Sequence, residues 1–149
     1  MAFYLGIDLA SAPRRPSAYA VLDDQAKLHD VGLVHQDAEM VALAQRWRPR
    51  YVGIDAPISL PRGLCCLEKS CRCAPVSPDG LKAAERELFR RGIGLYATTK
   101  RSMIKAMVYR AIGLRRTLES MGFSIIEIYP YACKVQLFGR QVPKKTTPA

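Results

Sequence analysis

The sequence predicts a mixed α/β domain built on a five-stranded sheet, and three observations carry that expectation. Apolar, β-prone segments follow the order strand, strand, strand, helix, strand, then helices and a last strand. The tripeptide Gly-Ile-Asp ends two of those segments, in "LGIDLASAP" (5–13) and "VGIDAPISLP" (52–61). A chain of 149 residues with 49% hydrophobic content suits one domain with a real core. That order fits a mixed sheet better than a strictly alternating βαβ arrangement.

Taken in order, "FYLGIDL" (3–9) reads as a short buried strand. "SAYAVLDD" (17–24) and "LHDVGLVH" (28–35) read as two more, joined by a tight connection at Gln25, Ala26 and Lys27. Asp37 is the expected N-cap of a helix in which Met40, Leu43, Ala44 and Trp47 share one face, and Pro49 ends it. On that face Trp47 belongs to the core. "YVGIDAP" (51–57) is a fourth strand, followed by a cysteine-bearing loop and a helix over about 79–91 that Gly92 stops. Thr98 or Thr99 is the expected cap of a long helix reaching about Met121. Its stripe of Met103, Ile104, Met107, Val108, Ala111, Leu114 and Leu118 faces the core, and Gly122 closes it. "FSIIEIYP" (123–130) is the fifth strand, "YACKVQLFG" a short helix or turn, and Cys133 within it is expected to be buried. The expected domain covers residues 1–142, with a polar tail at 143–149.

The net charge of +10 is unevenly placed, with 9 basic against 8 acidic residues over 1–75 and 14 against 5 over 76–149. Between Leu88 and Leu118 stand Arg90, Arg91, Lys100, Arg101, Lys105, Arg110, Arg115 and Arg116, with no acid among them. Such a field attracts polyanions, nucleic acid first, although a solvated helix face gives the same pattern. No run of about 18 apolar residues is present, so no membrane span is expected. The start "MAFYLGIDLA" lacks the basic region of a secretory signal, which makes the cytoplasm the default location. The glycine and lysine spacings of a P-loop, the dinucleotide-binding fingerprint and the H-E-x-x-H zinc-protease signature are all missing.

The chemistry concentrates on acids. Side chains alternate along a strand, so Gly6 shares a face with Asp8, and Gly53 with Asp55. If the first and fourth strands are parallel neighbours, both carboxylates emerge at one carboxyl edge, where open α/β sheets bind ligands. Two close carboxylates repel each other and recruit a cation, and hard oxygens favour Mg²⁺ or Mn²⁺. Glu127, in the apolar "IIEIYP", is a third candidate, costly without a partner. A metal pair held by Asp8, Asp55 and Glu127 would suit phosphodiester hydrolysis.

The succession "GIDLA", "VGIDAPISLP", "ERELFRRGIG" and "IIEIYPYA" resembles domain-of-unknown-function family 429, generally described as predicted nucleases of the ribonuclease H fold. The resemblance covers about residues 4–147. It implies a sheet of order 3-2-1-4-5 with the first, fourth and fifth strands side by side, and it matches Asp8, Asp55 and Glu127 to the family's acidic positions. Resolvase-type members of that fold complete the metal site with an acid on a C-terminal helix, whereas no acid follows Glu127 here. The expectation is therefore a fragment, a truncated chain or a catalytically weakened nuclease, with Glu85 or Glu87 as available substitutes. The alternative is a nucleic-acid-binding or interaction module that no longer cleaves.

Two further sets of residues are candidates. "CCLEKSCRC" places Cys65, Cys66, Cys71 and Cys73 within nine residues, which fits zinc, disulfides or free thiols. Arg14 and Arg15, just after Asp8, and Thr99, Lys100, Arg101 and Lys105, on the expected first turns of the long helix, could hold substrate phosphate. The threonine pair is explained equally well by ordinary capping. His29 and His35 receive no role.

Overall fold

The computed structural model describes residues 1–141, so the polar tail at 143–149 lies outside the described residues. Five strands form one sheet: β1 (Phe3–Asp8), β2 (Ser17–Asp23), β3 (Leu28–Val34), β4 (Tyr51–Ile54) and β5 (Ile125–Glu127). Their spatial order is β3-β2-β1-β4-β5, as the resemblance implies. β1 pairs antiparallel with β2 and parallel with β4, and β5 continues parallel on the far side of β4. Among the described residues four helices accompany the sheet, α1 (Asp37–Trp47), α2 (Ala83–Arg90), α3 (Lys105–Ser120) and α4 (Pro130–Phe138).

The pleat separates the two faces. Leu5, Ile7, Val52 and Ile54 are buried against Met40, Leu43 and Ala44 of α1 and Ala111, Leu114 and Leu118 of α3. The opposite pleat carries Gly6, Asp8, Gly53 and Asp55. Beside Gly6 the space is open, but a Cβ on Gly53 would come within 3.1 Å of the Ile128 side chain. A side chain at Gly53 would thus need Ile128 to shift by a few tenths of an ångström. Trp47 packs on the core edge-on to Phe3, with ring centroids 5.1 Å apart, as the helical spacing predicts.

Several element boundaries differ from expectation, for local reasons. The N-cap of α1 is Gln36, because the Glu39 carboxylate accepts the His35 and Gln36 N–H groups and starts the helix one residue early. Asp37 becomes the first helical residue. The helix expected from 79 starts at Ala83, because Asp79 closes its own turn by accepting the Leu81 N–H. Gly92 follows that helix at φ +69°, as expected of a stop. α3 begins at Lys105, not at Thr98 or Thr99: the Thr98 N–H is taken by the Glu85 carboxylate, and side-chain oxygens of Thr99 and Ser102 close local turns. Met103 thus falls outside the core and is 83% exposed. β5 is shorter than expected because Pro130 opens α4, where a missing N–H does no harm. Cys133, on α4, is exposed and not buried.

His29 also departs from the sequence reading, since its Nε2 lies 2.7 Å from Oδ2 of Asp23 at the end of β2. Asp23 additionally accepts the Gln25 and Lys27 N–H groups that shape the β2–β3 turn. These bonds, that from His29 foremost, hold its carboxyl below the ordinary 3.8. A depressed folded-state pKa adds stability above the unfolded value, and that stability disappears as pH falls through the folded one. The urea midpoint is therefore expected to fall below about pH 4. In Asp23→Asn this part of the acid-side slope should vanish; an unchanged slope would refute the assignment.

Candidate functional site

The parallel register of β1 and β4 sets the site. Gly6 lies opposite Gly53 and Ile7 opposite Ile54, and the Asp55 N–H donates to the Ile7 carbonyl at 2.8 Å. Asp8 and Asp55 are therefore successive neighbours at the carboxyl edge, on the pleat away from α1 and α3. Asp8 is exposed and Asp55 half-buried. Glu127 lies level with Ile54 in β5, one position short of Asp55 in register, and so belongs to the other pleat.

Glu127 already has partners. Nζ of Lys82 lies 2.7 Å from each carboxylate oxygen, and the Ile58 N–H donates to Oε2 at 3.0 Å. The Lys82 side chain is only 11% exposed. Lys82 is the site residue that sequence reasoning missed. Nothing around it marks a site, because its partner is 45 positions away and joins it only when β5 pairs with β4. Asp55 and Glu127 line one cavity of about 130 Å³, together with Glu85, Tyr96 and Tyr129. That space is large enough for several waters. Burial, with the Asp55 charge next in importance, pushes the Tyr129 hydroxyl above 10.

Of the two substitute acids, Glu85 faces this cavity but is buried, and its oxygens accept the Thr98 and Lys82 N–H groups. Glu87 is turned away and pairs with Arg90 and Arg91.

The basic run is largely engaged within the protein. Arg110, 7% exposed at its side chain, pairs with Asp37 and donates to the Ala10 and His35 carbonyls. It ties down the loop after β1 from a position the sequence reading gave only to a charged surface. Lys105 pairs with Glu68, Arg115 with Glu119, and Lys100 donates to the Cys71 carbonyl. Because α3 starts at Lys105, the expected phosphate nest of Thr99, Lys100 and Arg101 on a helical first turn is not formed. Arg14 and Arg15 are exposed in the loop beyond Asp8.

The cysteine loop closes on itself. One sulfur from each of Cys65, Cys66, Cys71 and Cys73 lies within 4.8 Å of the others, and the four could hold a metal such as zinc. Cys65 and Cys71 are nearest, at 3.5 Å between sulfurs. Hydrogen bonds from the Cys66 and Cys65 backbone draw the Cys73 thiol down to about 6, while the Cys71 and Cys73 thiols push Cys65 up to about 12. No helix among the described residues is long and apolar enough to cross a membrane.

The sheet order and the two aspartates at its carboxyl edge define a mixed α/β domain with acids placed where such sheets receive ligands. The chain belongs to the family described as protein of unknown function (DUF429), which matches residues 6–149. No curated protein and no solved structure is significantly similar to it.

Proposed function

We propose that this protein is a divalent-cation-dependent nuclease on a ribonuclease H-like fold. The observation that carries the reading is the in-register pairing of β1 and β4, which brings Asp8 and Asp55 to adjacent positions at one sheet edge. Two neighbouring carboxylates with oxygen donors only fit Mg²⁺ or Mn²⁺. Such an ion supplies Lewis-acid polarisation of a phosphodiester and acidifies a bound water.

The chain's own residues do the rest. Asp8 and Asp55 hold the cation. Glu127 lines the same cavity as Asp55 but from the other pleat, so a two-ion form of the reaction would need its carboxylate released from Lys82 and turned to the Asp8 and Asp55 side. Arg14 and Arg15 lie in the loop after Asp8, which Arg110 steadies, and they contact the phosphate backbone. Contacts of that kind position nucleic acid without reading its sequence. The net charge of +10 favours such a polyanion.

The test is Mn²⁺-dependent cleavage of single-stranded and duplex DNA and RNA, with Mn²⁺ binding followed in parallel on wild type and Asp8→Asn. Cleavage by wild type and its loss with weakened Mn²⁺ binding in the variant is the expected result. Equal cleavage by both proteins would overturn the reading.

One observation favours a second reading. Lys82 spans both Glu127 oxygens, so a fixed cation occupies that part of the site. In that reading the protein binds nucleic acid without cutting it, and wild type would bind but not cleave with either metal.

Both readings predict a role for the loop arginines. Nucleic-acid affinity should weaken in the Arg14→Ala, Arg15→Ala double variant, and the slope of log K against log salt should shrink by about 1 per contact removed. Fluorescence anisotropy across a salt series measures this, and an unchanged slope would place the phosphate contacts elsewhere.

A further inference from the structure

We propose that Cys65, Cys66, Cys71 and Cys73 bind one zinc ion as a closed tetrathiolate whose role is structural, fastening the long β4–α2 connection to the start of α3. Zinc–sulfur bonds of about 2.3 Å place tetrahedral sulfurs about 3.8 Å apart. The four sulfurs already lie within 4.8 Å of one another, so closure needs shifts of about 1 Å or less. The adjacent pair Cys65 and Cys66 would diverge in an extended strand, but here the chain turns on both sides of it. The Leu64 N–H donates to the Pro61 carbonyl before the pair, and the Cys71 N–H to the Glu68 carbonyl after it.

Soft thiolates select zinc over Mg²⁺ or Mn²⁺, and four protein ligands leave no open position for substrate. The assembled centre carries a formal charge of −2, as four thiols lose their protons to solvent on binding. Lys69 and Arg72 stand within the loop, and Lys100 reaches the Cys71 carbonyl from outside it. These cations offset a charge that would otherwise strain a surface loop.

The loop needs such a fastening. Between β4 and α2 the chain runs without helix or strand, and Leu67 is the fully buried side chain beside the cysteines. Its N–H donates to the Tyr109 hydroxyl on α3 at 2.7 Å, and that hydroxyl donates to Glu68 at 2.9 Å. Lys105, at the first position of α3, pairs with the same glutamate. The metal centre therefore sits where the connection docks on α3, and Lys82 stands at the far end of that connection. The proposal is independent of any nuclease activity.

Metal content of the full chain, purified under reductant with zinc supplied, is the first measurement. One zinc per chain is expected, and cobalt exchanged into the site should show the intense visible bands of tetrahedral thiolate coordination. Cys71→Ser and Cys73→Ser should each weaken metal affinity at least about tenfold. Asp55→Asn should retain one zinc, which separates this site from the acidic edge. Because a cysteine variant could also lose metal by misfolding, wild type stripped with chelator provides the control. Readdition of zinc should raise its Tm by at least about 5 °C and protect residues 62–76 from proteolysis first. Four free thiols without metal, a Cys65–Cys71 disulfide under reductant, or iron in place of zinc would overturn the proposal. Bound zinc with no effect on Tm or proteolysis would overturn the structural role.

Discussion

In Asp55→Asn, Mn²⁺-dependent phosphodiester hydrolysis is expected to fall at least about 100-fold, the scale on which one charge-stabilising group slows hydrolysis. The substitution keeps the side-chain shape and leaves the Asp55 N–H bond to the Ile7 carbonyl untouched, since that bond belongs to the backbone. What changes is the charge beside Asp8. A carboxamide leaves one anion where the edge had two, so the attraction for a divalent cation is lost while the strand pairing persists. Unfolding midpoints of both proteins are measured alongside, so that lost activity is read against folding. Activity within tenfold of wild type at every Mn²⁺ concentration, limiting ones included, would remove Asp55 from the reaction. A low activity that returns with more Mn²⁺ would mark Asp55 as a metal ligand with little other role.

The largest effect on stability is expected from Glu85→Ala. Glu85 is 3% exposed, and its two oxygens accept the Thr98 and Lys82 N–H groups. One carboxylate thus fixes both the start of α2 and the segment before α3, reaching a donor 13 residues along the chain from Glu85. Truncation leaves a fully buried Thr98 N–H and the Lys82 N–H without their acceptor, at about 1–3 kcal/mol each. A total near 3 kcal/mol is expected, or roughly 6–12 °C in Tm for a chain of this size. Glu85→Gln recovers only part of it, because its amide turns one N–H toward another N–H donor. Denaturant unfolding of the three proteins checks this, and a Glu85→Ala loss below about 0.5 kcal/mol would refute it. Activity is expected to fall with Glu85→Ala only as far as unfolding explains. A catalytic fourth acid would instead show lost activity at full folding.

The two predictions draw on unequally legible parts of the sequence. Asp8 and Asp55 were readable because strand period and the repeated Gly-Ile-Asp are local signals. The helical stripe over Val108, Ala111, Leu114 and Leu118 was readable for the same reason, and all four residues are buried. The start of α3 was not. Thr98 and Thr99 have the composition of a cap, but the Glu85 carboxylate claims the Thr98 N–H. The capping signal lost to a long-range hydrogen bond. Cys133 reads as a buried small hydrophobe, yet α4 leaves it exposed. The basic run read as a single surface, whereas Arg110 is almost wholly buried on Asp37 and two carbonyls.

Sequence alone determined the strand order in the chain, the two aspartates at strand ends, the core stripes and the clustering of four cysteines. Each follows from a period or spacing of a few residues, which a linear chain records directly. Only the tertiary structure decided that Glu127 stands on the other pleat under Lys82, that Glu85 is committed to two backbone donors, and that the adjacent cysteines converge. Those outcomes join positions 6 to 45 residues apart, through bonds whose partners no local pattern specifies.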